Sequence, residues 1–197
     1  MSGTFPSSPA PRAVRVRSLT PTLVSVAHSL KRQVRSRGTQ RWGLALSFPP
    51  MTRAQFAPIW AFLVAQRGQY ETFTYTLPGH AAQGTWAGTP LVNGASQTGR
   101  SVLCDGFTAG ATVKAGDFFK FGGHSKIYMV SADGTADGSG NLTLSIEPAL
   151  MQSPADNEAL TSSSLPWTVA LASDNAEYDV SPGLIFGNLE VELVEVY

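Results

Sequence analysis

The residues best suited to acid–base or metal chemistry are three histidines. His28 lies in a predicted strand, His80 in a turn, and His124 beside Gly122-Gly123. None has a partner at the spacing of a metal site or a catalytic triad, so each reads as a loop or surface polar residue. No GxSxG, HExxH or P-loop string occurs. Asp133, Asp137 and Asn141 sit among glycines and offer oxygen ligands for a hard cation. Their spacing departs from the EF-hand and lacks its terminal Glu, so a plain turn is the better reading. Asn141-Leu142-Thr143 is formally a glycosylation sequon, which carries little weight without an export signal. The single cysteine, Cys104, reads as a small buried hydrophobe. No catalytic, metal or cofactor site is expected, and the chain does not read as an enzyme.

Charge is distributed unevenly. Ten of the fourteen Lys and Arg precede Glu71, and all fourteen acids lie from Glu71 onward. A formal charge of +10 therefore faces one of −10. Two readings stay open: the halves neutralise each other within one molecule, or the basic part of one copy meets the acidic part of the next. The densest basic cluster is Lys31, Arg32, Arg35 and Arg37, followed by Arg41. It lacks the interleaved aromatics of a single-strand nucleic-acid groove. Charged residues are only 14% of the chain, which fits a surface packed against neighbours. Ser2–Pro11 has no apolar core of a signal peptide, and no apolar run approaches the ~18 residues of a membrane helix. Synthesis in a cytoplasm and no membrane partner are the expectations.

The elements are mainly β. Residues 1–11 form an extended arm with Pro6, Pro9 and Pro11. Val14 and Val16 alternate with Arg15 and Arg17 as a half-buried strand. Residues 22–35 read as a second, bent strand, with Val24, Val26, Leu30 and Val34 facing inward. Trp42, Leu44, Leu46 and Phe48 alternate as a third. Thr52 and Gln55 fit a capping box, and Phe56, Ile59, Trp60 and Leu63 follow as one helical stripe. Pro58 is expected to kink this helix or delay its start, and Gly68 to end it. Phe73, Tyr75 and Leu77 line the next strand. From His80 the texture changes to dense glycine and short strands at 101–104, 117–121, 126–131 and 142–146, as in a small barrel or sandwich. Trp167, Val169 and Leu171 alternate. So do Leu189, Val191 and Leu193, whose pattern slips near Val194 as in a bulge, and Glu190, Glu192 and Glu195 read as that strand's solvated face. The economical division is an N-terminal arm at 1–11, a β-sandwich of 12–79 plus 165–197, an inserted β domain at 80–152 and a polar connector at 153–164.

Three strings carry a resemblance: FPPMTRAQFAPIWAFLVAQRGQYETFTYTLPG (48–79), KAGDFFKFGGHSKIYMVSADGTADGSGNLTLSIEPAL (114–150) and LVEVY (193–197). In these strings and in element order the chain resembles phage distal tail and tail-tip adaptor proteins. The resemblance implies a non-enzymatic virion protein of the tail, assembled in the host cytoplasm. It implies a β-sandwich that builds a hexameric ring, joins the tail tube to tip, hub or fibre proteins of the baseplate, and leaves a channel for DNA. Lys31, Arg32, Arg35, Arg37 and Arg41 are the expected oligomer interface. A channel that passes DNA should not grip phosphates, so Glu190, Glu192 and Glu195 are the expected lining. The alternative is a carbohydrate- or receptor-binding module contacting the host surface, which exposed Trp86, Phe107, Phe119 or Tyr128 would favour.

Overall fold

A computed structural model describes residues 2–183 and 185–197. In chain order the strands are β1 (Ala13–Leu19), β2 (Thr22–Val26), β3 (Arg32–Ser36), β4 (Arg41–Ser47), β5 (Met51–Thr52), β6 (Phe73–Thr76), β7 (Gly88–Val92), β8 (Ser101–Phe107) and β9 (Thr112–Val113). They continue with β10 (Phe118–Phe121), β11 (Ile127–Val130), β12 (Gly134–Thr135), β13 (Leu142–Glu147), β14 (Leu160–Thr161), β15 (Pro166–Leu171), β16 (Asp179–Ser181), β17 (Ile185–Gly187) and β18 (Glu190–Glu195). The helix α1 spans Arg53–Ala65. Among the described residues the fold is mainly β with one helix, as the sequence implies. Contacts group it into two compact units: Met1–Arg17, Trp42–His80 and Pro166–Tyr197, and Ser18–Arg41 with Ala81–Leu165.

The first unit is built on a sheet in the order β1-β4-β18-β15-β6. Period-2 alternation drives it: Trp42, Leu44 and Leu46 in β4, Trp167 and Val169 in β15, and Val191 and Leu193 in β18 are all buried. Helix α1 begins where the sequence places it, with Thr52 N–H donating to Gln55 Oε1 at 3.1 Å. It runs unbroken through Pro58, so the proline does not delay its start. Phe56, Ile59 and Leu63 are buried, whereas Trp60, expected in the core, is only half-buried on the shoulder of the stripe. The helix ends at Ala65, and past the Gln66 cap the first left-handed residue is Arg67 at φ +57°, one position before the Gly68 expected to end it. Gly68 continues the left-handed turn at φ +67°, and a Cβ there would meet Asp174 Oδ1 at 2.6 Å.

The N-terminal arm lies against its own β6. Phe5 N–H donates to Thr74 O at 2.8 Å, and Thr74 N–H donates to Gly3 O at 2.9 Å. Phe5 is buried among the rings of Phe48, Phe62, Phe73 and Tyr75, at centroid distances of 5.5–6.2 Å. The arm thereby covers part of a sheet edge that would otherwise be open to pairing.

In the second unit six strands run β14-β10-β11-β13-β8-β7. A bridge between Leu91 and Ala159 brings the two ends together as a nearly closed barrel. Its core holds Trp86, Phe107, Phe119, Phe121, Tyr128, Val102 and Ile146. The polar stretch 153–164, read as a connector, contributes β14 to this barrel, and Leu160 there is 6% exposed. Residues 22–36 are not one bent strand. They form the hairpin β2–β3, turned at 27–31, with Val24 opposite Val34 and Val26 opposite Arg32. Its feet are tied down. Gln40 Nε2 donates to Ser18 Oγ at 3.1 Å, and the buried Lys126 Nζ donates to Gln40 O and Oε1 at 3.0 and 2.9 Å.

Candidate assembly surface

Every residue of β2 and β3 is exposed on both faces. Val24, Val26, Leu30 and Val34, expected to face inward, are 50, 58, 83 and 53% exposed, and Leu23 joins them at 49%. Alternation shows that a strand has an apolar face, not whose core covers it. A two-stranded hairpin with no covering layer is marginal by itself. An apolar surface of this extent usually marks an interaction site.

Lys31, Arg32, Arg35 and Arg37 stand on the same hairpin, fully exposed, and among the described residues none makes an ion pair within the chain. Arg41 lies exposed at the start of β4. Far along the chain, residues 166–197 hold six acids and no Lys or Arg, whereas 18–41 hold five bases and no acid.

The acids of β18 divide by parity. Glu190 and Glu192 are exposed, and Arg17 Nη1 reaches Glu192 Oε1 at 2.9 Å. Glu195 does not share their face. It lies in register with Val191 and Leu193, is fully buried, and its Oε2 accepts the Trp42 N–H at 3.1 Å. Pairing of β18 with β4 and β15 is regular through Val194, so no bulge re-aims the side chain.

A second exposed apolar surface lies on the first unit. The hairpin β16–β17 packs on α1: Tyr178 meets Phe56 and Trp60 at ring distances of 4.5 and 4.7 Å, and Phe186 stacks on Phe56 at 4.6 Å. Outside this stack Val64 and Val180 remain 59 and 54% exposed. Asp174, Glu177 and Asp179 are exposed alongside. Nothing in the sequence pointed here, because the contact joins a helix to a strand more than a hundred residues away.

The other candidate residues are structural. His28 sits in the β2–β3 turn, not in a strand. His124 is not a surface residue: it is 8% exposed, rests against Phe121, and its Nε2 lies 3.8 Å from Glu158 Oε2. Asp133 accepts from Ala115 N–H and Lys114 Nζ and so ties its loop to residues 114–115, and Asp137 accepts from the N–H groups of Ser139 and Asn141 and so closes its own turn. These bonds hold both carboxyls below the ordinary aspartate range. Among the described residues no group of three metal-binding side chains converges, and no helix is long and apolar enough to cross a membrane. Cys104 is buried in the barrel, which pushes its thiol up to about 12. Trp86, Phe107, Phe119 and Tyr128 are all core residues, so none offers the stacking face that a glycan-binding module would need.

Asp117 organises the barrel mouth. It is 1% exposed and accepts from Trp86 Nε1 at 2.8 Å and from the N–H groups of Gln83, Gly84 and Lys114 at 2.6, 3.0 and 2.9 Å. Burial pushes its carboxyl up, but the four hydrogen bonds together outweigh it and hold the group below the usual range.

No curated protein matches the chain. Residues 79–164, which include the whole barrel, match a family model described as distal tail protein pb9, B domain. That match supports a phage distal tail protein, a structural component of the virion tail, which is the family that the strings and element order resemble.

Proposed function

We propose that the chain builds a closed ring at the distal end of the tail, six copies around, joining the tail tube to tip, hub or fibre proteins and leaving a channel for DNA. The observation that carries this reading is the β2–β3 hairpin, apolar and basic, uncovered within its own chain. Such a hairpin gains its covering layer from a neighbour. A contact between two different surfaces of like copies is heterologous, and it closes into a ring when the rotation permits. Assembly takes place in the host cytoplasm before the ring joins the tail. Glu190 and Glu192 are the proposed acidic lining, without Glu195, whose carboxylate is spent inside the sheet.

Sedimentation velocity of the full chain tests this. The wild type is expected to sediment as a ring and Arg32→Glu/Arg35→Glu/Arg37→Glu as a folded monomer. Raised salt is expected to weaken the ring, since exposed charge contacts are screened over ~8–10 Å. A charge-reversed variant that still assembles at wild-type concentrations would reject the hairpin as the ring contact.

A further inference from the structure

The ring reading says what the hairpin offers, not what receives it. We propose that the receiving surface is the Trp60–Val64–Tyr178–Val180 face of a second copy, flanked by Asp174, Glu177 and Asp179. This rests on the ring reading and adds the acceptor.

The two surfaces complement each other in both respects that matter at an interface. The hairpin presents exposed aliphatics beside four bases that make no ion pair among the described residues. The acceptor presents Trp60 and Tyr178, edge to face at 4.7 Å, with the exposed Val64 and Val180 beside them. Phe56 and Phe186, stacked at 4.6 Å, hold those aromatics from beneath, so the face is backed by core. Half-buried Trp and Tyr with a firm backing are what interface anchors require. Charge selects the occupant. Asp174, Glu177 and Asp179 fall within six residues and make no ion pair among the described residues. An acidic flank repels nucleic acid and favours a basic, apolar segment, and residues 18–41 hold five bases and no acid. Donor and acceptor are different surfaces, so each copy gives its hairpin to one neighbour and receives one from the other.

The test is a two-variant mixture of full-length protein. One variant, Arg32→Glu/Arg35→Glu/Arg37→Glu, has a disabled hairpin and an intact acceptor. The other, Glu177→Lys/Val180→Lys, has an intact hairpin and a disabled acceptor, and alters only exposed side chains. Each alone is expected to lose assembly and give a monomer by mass photometry, with a wild-type circular dichroism spectrum. Mixed, they are expected to form a one-to-one pair of doubled mass and nothing larger, since only one productive contact is possible. A Glu177→Lys/Val180→Lys variant that assembles as the wild type does, while the hairpin variant does not, would overturn the acceptor and leave the ring reading standing. Two monomeric variants that fail to pair would overturn it as well. A monomeric wild type would overturn both.

Discussion

Phe5→Ala should release the N-terminal arm from β6. Three backbone bonds hold the arm: Ser2 N–H to Thr72 O, Phe5 N–H to Thr74 O, and Thr74 N–H to Gly3 O. Each is worth about 1 kcal/mol net. Ordering residues 2–5 costs about 1–2 kcal/mol per residue in backbone entropy alone. The bonds therefore fall short of the ordering cost, and burial of Phe5 must supply the difference. A fully buried Phe→Ala costs about 3–5 kcal/mol when the backbone cannot leave. Here the arm can peel away, so the loss is capped by the arm's own docking energy, at most about 4 kcal/mol once the bonds and the Phe5 burial are set against the ordering cost. Two consequences separate this from an ordinary cavity. Phe5→Ala and deletion of residues 2–10 should shift the urea midpoint of the first unit equally, within ~0.5 kcal/mol. The Thr74 amide, whose acceptor is Gly3 O, should lose its protection from hydrogen exchange in both. A loss below about 1 kcal/mol, or a Thr74 amide still protected in Phe5→Ala, would refute the reasoning.

Two further outcomes follow from burial and charge. Trp60→Ala should cost only about 1–2 kcal/mol in urea unfolding, below the ~3–5 of a fully buried aromatic, while impairing assembly; a loss above about 3 kcal/mol with assembly intact would place Trp60 in the core after all. The Asp117 carboxyl titrates lower folded than unfolded, so its contribution to stability is present above the unfolded value of ~3.9 and fades as pH falls through the folded one. Asp117→Asn should destabilise the barrel near neutral pH by about 2–3 kcal/mol and flatten the loss of stability below pH ~4, as read from urea midpoints across pH; an unchanged acid limb would show that Asp117 carries none of it.

The parts of this fold that were legible were those with a long, regular period. Trp42, Leu44 and Leu46 alternate in a central strand, and the Thr52–Gln55 box marks the start of α1. The short elements were not. Strand β14 is two residues, too short for any period, inside a stretch whose Ser and Thr content reads as a linker, yet its Leu160 closes the barrel core. Phe5 stands alone between Thr4 and Pro6 with no repeat to announce its burial. Glu195 was grouped with Glu190 and Glu192 by charge, when counting parity from Leu193 would have turned it inward. The acceptor face is the clearest case of what one dimension hides: Trp60 and Tyr178 become neighbours only because β16–β17 folds onto α1.

The charge split at Glu71 looked like a property of two halves, and the fold sorts it differently. Strand β4 alone separates β1 from β18, which brings Arg17 to Glu192. Both side chains of that pair are about half exposed, so it contributes about 0–1 kcal/mol at most. Neutralisation of this kind is too weak to be the reason for so lopsided a sequence. Lys31, Arg32, Arg35 and Arg37, and the acids Asp174, Glu177 and Asp179, make no ion pair among the described residues, and each set lies beside exposed apolar side chains. Charge beside an apolar surface does little for one copy's stability. It raises the rate of encounter and fixes the register between two copies, and it discourages association between like surfaces. An asymmetry costly to solubility in a monomer is then what a self-assembling protein needs: the hairpin repels other hairpins, the acidic face repels other acidic faces, and the opposite pairing is the one left favourable.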